Sequence, residues 1–87
     1  MDTEKYRQFL CRFILEAQAN SDGTNRGIAA YLQEITIKKG FWVQNKVEQT
    51  RALADARTAF EEHRHWPLEI ILSHLGISLE EPKNKHP

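Results

Sequence analysis

Ile35-Thr36-Ile37-Lys38-Lys39-Gly40-Phe41-Trp42-Val43 is the stretch on which the fold class turns. Read one way, the β-branched alternation of Ile35-Thr36-Ile37, a turn at Lys38-Lys39-Gly40 and the aromatic Phe41-Trp42-Val43 make a short hairpin on a helical body. Read the other way, a helix runs to Lys39, Gly40 stops it, and Phe41 and Trp42 open the next helix. Ile28, Tyr31, Leu32 and Ile35 keep helical spacing up to the disputed stretch, with Thr24 or Asn25 as the N-cap. The helical reading is preferred, and a short hairpin near 35–43 stays open as the alternative.

Before this helix, Asn20-Ser21-Asp22-Gly23 places four turn-forming residues in a row. They close a first helix in which Tyr6, Phe9, Leu10, Phe13, Ile14 and Ala17 follow the i, i+3, i+4, i+7 rule, flanked by Cys11 and Leu15. Asp2 or Thr3 can cap its start, and Glu4 suits the positive end of the helix dipole. After the disputed stretch, a third helix is predicted from Trp42 to Arg64. Leu53, Ala56 and Phe60 form one face, Val43 and Val47 begin another, and Ala52, Ala54, Ala56 and Ala59 invite close approach of a neighbouring helix or subunit. Pro67 announces a fourth helix, with Leu68, Ile71, Leu72 and Leu75 as its buried stripe. Gly76 stands where a left-handed terminator is expected, and Ile77 can pack back on Leu72. The prediction is an all-α domain of three to four helices over residues 1–81, followed by a polar tail at 82–87.

An 87-residue chain has room for one domain with one core. Its 12 basic and 12 acidic residues cancel, which argues against a protein that coats nucleic acid indiscriminately. The distribution is uneven, however. Between Thr24 and Arg51 the cations Arg26, Lys38, Lys39, Lys46 and Arg51 face only Glu34 and Glu48, whereas Asp55 to Glu81 leans acidic. Cys11 is the single cysteine, so no internal disulfide can form and a reducing, cytoplasmic setting is expected. No apolar run approaches the ~18 residues of a membrane span.

Catalytic chemistry finds few residues to stand on. Glu61 and His65 are four apart and, if both are helical, share a face that could hold a metal, but no second pair at ligand spacing accompanies them. His63 and His65 are two apart and fall on different faces. Cys11 lacks an adjacent base and reads as a partly buried, inert thiol. Neither a glycine-rich phosphate loop nor a G-x-S-x-G elbow occurs. No enzymatic activity, cofactor or metal is therefore expected.

Binding is better supported. The stretch Thr24-Asn25-Arg26-Gly27-Ile28-Ala29-Ala30-Tyr31-Leu32, followed by Trp42-Val43-Gln44-Asn45-Lys46-Val47, resembles part of the serine recombinases. In that family an R-x-I-A-x-x-L-N helix leads through a turn into a W-[ST]-x-x-x-V helix, within the DNA-binding region. Ile28, Ala29 and Leu32 match the first helix, and Trp42 and Val47 the second. The connection here is shorter, and Val43 replaces the capping hydroxyl. A lesser echo, Leu75-Gly76-Ile77-Ser78-Leu79-Glu80-Glu81, is similar to the closing helix of Cro/CI-type repressors, although a glycine-closed helix explains it equally well.

The resemblance implies a helix-turn-helix-like DNA-binding or regulatory protein, with a homodimer as one expected arrangement. Gln44, Asn45 and Gln49 can pair with adenine edges, while Lys46 and Arg51 suit guanine or phosphate. Arg26, Lys38 and Lys39 would hold the backbone. The alternative is a helical protein-interaction module, an adaptor or an inhibitor that occludes a partner's site. Its candidate anchors are the Phe9/Phe13 face, the Ala52/Ala56/Ala59 ridge and Trp66.

Overall fold

The computed structural model describes residues 2–38 and 46–78. Four helices follow one another: α1 (Thr3–Ala19), α2 (Asn25–Ile37), α3 (Lys46–Glu62) and α4 (Leu68–Leu75). The fold is all-α. α3 is the central element. It packs along both α1 and α2, which also touch each other, and α4 closes against α3.

Each terminus is set by local chemistry. The Asp2 carboxylate accepts the N–H groups of Glu4 (3.0 Å) and Lys5 (3.3 Å), satisfying two donors that α1 itself cannot. α1 ends at Asn20, whose backbone and side-chain N–H groups both reach the Glu16 carbonyl, and Gly23 then takes a φ of +82°. Thr24 caps α2 by accepting the Gly27 N–H at 3.0 Å. Asp22 in turn accepts from the Thr24 backbone N–H (3.0 Å) and hydroxyl (2.7 Å). Those bonds, the hydroxyl's foremost, hold its carboxyl below the usual range.

The disputed stretch begins as helix. Ile35, Thr36 and Ile37 form the last turn of α2, and the Lys38 N–H donates to the Glu34 carbonyl at 3.1 Å. Thr36 fits because its hydroxyl bonds back to the Leu32 carbonyl (2.9 Å), and Ile35 packs against the core. Ile35–Ile37 are therefore no hairpin strand, while the rest of that reading, residues 39–43, lies outside the described residues. So do the predicted start of the third helix at Trp42 and the tail at 82–87.

α3 is shorter at its far end than predicted. It stops at Glu62, and the chain turns through His63–Trp66, with the Trp66 N–H bonded to the His63 carbonyl at 2.9 Å. Glu61 and His65 consequently do not share a helical face. Val47 is largely exposed and supports no second apolar face. Ala52, Ala56 and Ala59 are buried in the core, which is why α3 can lie close to two helices at once. Leu10, Ile14, Ile28, Leu32, Leu53, Phe60 and Ile71 are fully enclosed around it. Each such side chain is worth about 1.5–3 kcal/mol relative to exposure.

Two polar contacts pin the start of α1 to α3. The Asp2 N–H donates to the Glu48 carboxylate at 2.7 Å, and the Tyr6 hydroxyl donates to Asp55. The first bond keeps Glu48 below the usual carboxylate range.

At the other end of the chain, Pro67 precedes α4 and its carbonyl accepts from Ile70 and Ile71. Gly76 adopts φ +78°, and the N–H groups of Gly76 and Ile77 reach the Ser73 and Leu72 carbonyls, each at 3.0 Å, the paired closure of a Schellman turn. Ile77 is thereby returned to the core. Among the described residues, no helix is long and apolar enough to cross a membrane.

Candidate functional site

α1 and the C-terminal half of α2, with Gln49 of α3, border a groove of about 420 Å³. Its apolar surface comes from Phe9, Phe13, Tyr31 and Ile35. Phe9 and Phe13 stack with ring centroids 6.1 Å apart, so one turn of α1 supplies a continuous aromatic wall. The rim is charged in both signs: Arg12 and Glu16 from α1, Glu34 and Lys38 from α2, with Gln49 from α3. Tyr31 donates its hydroxyl to Glu16 at 3.0 Å, and burial followed by the neighbouring carboxylate raises its pKa. Arg12, Glu34 and Lys38 have no ion-pair partner among the described residues.

Of the sequence-predicted contact residues, Lys38 and Gln49 meet on this groove. Lys46 is exposed at the start of α3. Arg51 is exposed too, but it pairs with Asp55 at 3.6 Å on the side where Tyr6 binds the same carboxylate. Burial, the Asp55 hydrogen bond and the Asp55 charge push the Tyr6 pKa up to about 12 against a smaller lowering by Arg51. Arg51 thus belongs to an α1–α3 clamp. Arg26 stands at the opposite end of α2 from Lys38, twelve residues or roughly 18 Å along the axis at ~1.5 Å per residue. Lys39, Gln44 and Asn45 lie outside the described residues.

Arg26 has other company. It lines a second concavity, of about 400 Å³, with Thr24, Asn25, Arg64 and His65. The Asn25 amide fastens the two walls by donating to the Arg64 carbonyl (3.0 Å) and the Trp66 carbonyl (2.7 Å).

The rival anchors fare unequally. Phe13 and the alanine ridge are spent on the core, while Phe9 remains half-buried at the groove. Trp66 is 37% exposed and stacks on His63 with centroids 3.7 Å apart, and both rings meet His74 edge-on. The Cys11 thiol contacts the Ser78 carbonyl at 3.8 Å, and burial raises its pKa, which lowers its thiolate fraction.

Sequence reasoning passed over Arg12, Glu16, Tyr31 and Glu34 as rim groups, and Arg64 and His65 as companions of Arg26. One signal was present: Arg12/Glu16 and Glu34/Lys38 are each four apart, so each pair shares a helix face. That the two faces confront each other is a tertiary fact. No family model matches the chain, and neither a curated protein nor a solved structure matches it significantly.

Proposed function

We propose that this chain is a small, non-catalytic binding module whose α1–α2 groove docks a segment of a protein partner. The observation that carries the reading is an apolar floor rimmed by charges of opposite sign, of which Arg12, Glu34 and Lys38 have no ion-pair partner among the described residues. An aliphatic or aromatic side chain from the partner would fill the floor beside Phe9 and Ile35. Its flanking acidic and basic groups would meet Arg12 and Lys38 on one hand and Glu34 on the other, giving register as well as affinity. A polyanion suits this rim poorly, because Glu16 and Glu34 stand among its cations. The groove lies within the size range of sites that enclose a ligand side chain.

A random peptide display library selected against the immobilised protein tests this. The expected result is enrichment of peptides with one large apolar residue flanked by charges of both signs. Binding should be lost in the double charge reversal Arg12→Glu/Lys38→Glu. No enrichment, or enrichment indifferent to that reversal, would overturn the reading.

The second reading, a helix-turn-helix-like regulator of DNA, rests on Lys38, Lys46 and Arg51, exposed cations on the helices flanking the α2–α3 connection. It requires that labelled duplex bind with a steep salt dependence, and that the slope flatten in Lys38→Ala/Lys46→Ala.

A further inference from the structure

The concavity at the other end of α2 differs from the groove in chemistry. It is lined by Arg26 from the first turn of α2 and by Arg64 and His65 from the α3–α4 turn, with Thr24 and Asn25 between them. No carboxylate lines it, and neither guanidinium has an ion-pair partner among the described residues. The two walls are far apart in sequence yet fixed to each other, because one amide, that of Asn25, bonds the Arg64 and Trp66 carbonyls together.

The geometry points to a binding site for a single phosphate group, free or carried on a small molecule, held between Arg26 and Arg64 with His65 as a third donor. A guanidinium fork carries paired N–H groups in the spacing that phosphate oxygens accept, and a fixed backbone lowers the cost of bringing two such cations to one concavity. The site stands on side chains. The Gly27 N–H of the adjacent helix is already bonded to Thr24, and the Thr24 N–H and hydroxyl to Asp22.

The size of the ligand follows from its surroundings. Asp22 lies beside Thr24, and Glu61 and Glu62 precede Arg64 by three and two residues. The positive field is therefore local. A compact anion fits inside it, whereas a duplex would bring further phosphates against those carboxylates. This site is separate from the groove, and its test does not depend on a peptide partner.

Amide chemical shifts of the full chain, titrated at constant ionic strength with inorganic phosphate, ribose 5-phosphate and a short DNA duplex, decide the matter. Saturable shifts confined to residues 24–26 and 64–66 are expected with the first two probes. Tighter binding of the ester would assign a small phosphorylated molecule, and equal binding the free anion. Arg26→Gln and Arg64→Gln should each weaken binding by about tenfold or more. Arg51→Gln should leave it unchanged, since that cation serves Asp55. Dispersed spectra of the variants establish that they are folded. Shifts spread evenly over Lys5, Arg7 and Arg12, affinity indifferent to Arg26→Gln, or tighter binding of the duplex than of either small probe would each overturn the proposal.

Discussion

The two ends of α2 carry cations into concavities of similar volume, yet they are different chemical environments. At the C-terminal end, Lys38 shares a rim with Glu16 and Glu34 above an aromatic floor. At the N-terminal end, Arg26 faces Arg64 and His65 above a polar floor with no carboxylate in the lining. The chain as a whole is neutral. What each end can hold is decided by the partners that packing brings to each cation, rather than by the sum of charges.

The contrast is easiest to break at what both ends share. Phe60→Ala removes the largest fully buried side chain from the central helix. It should cost about 3–5 kcal/mol in chemical denaturation, and both the peptide and the phosphate response should fall together. Asn25→Ala separates them. Losing two hydrogen bonds to exposed carbonyls should cost about 1 kcal/mol each at most, abolish the phosphate response and leave peptide selection at the groove intact. Thr24→Ala removes a cap from the same end and is expected to destabilise by about 1 kcal/mol in thermal unfolding, with a partial loss of phosphate affinity.

Arg51 and its neighbours sharpen the comparison from outside it. Because the neutral Tyr6 phenol is favoured in the folded state, its contribution is present below the ordinary tyrosine pKa of 10.0 and is lost as pH rises through about 12. Near-ultraviolet phenolate absorbance should therefore show a late-ionising tyrosine that disappears in Tyr6→Phe, and the fall in stability over that window should flatten. Arg51→Gln should have the smallest effect, within about 0.5 kcal/mol, since its pair with Asp55 is solvent-exposed.

What was legible in the sequence was local. The caps, the Asn20–Gly23 turn, the α1 stripe and the Gly76 closure each depend on residues a few positions apart; of the alternatives read, Asp2 and Thr24 are the caps, and Leu15, read as a flank of the stripe, is exposed. The Ile35–Ile37 segment shows where propensity alone misleads. β-branching argues for strand, but Ile35 continues the Ile28/Leu32 stripe, and Thr36 returns its hydroxyl to the backbone, so burial prevails. The end of α3 at Glu62 was missed because nothing in His63-Arg64-His65 breaks a helix outright, while Asn25 ties down the Arg64–Trp66 backbone from thirty-nine and forty-one residues away. The sites were less legible for the same reason. Arg12 and Lys38 line one concavity, and Arg26 and Arg64 another, only because packing brings together elements distant in sequence.

The Gly76 turn has a consequence for the order in which the chain is made. α1, α2 and α3 are complete once Glu62 has been added, but Ile77, sent back into the core by that turn, is still fifteen residues away. A chain that stops short of Ile77 therefore carries all three long helices without the residue that closes their core. The core cluster that Ile71, Leu72 and Ile77 complete is then left open on that side. A released chain truncated after Gly76 should accordingly be cleaved faster by protease than one extended through Ser78.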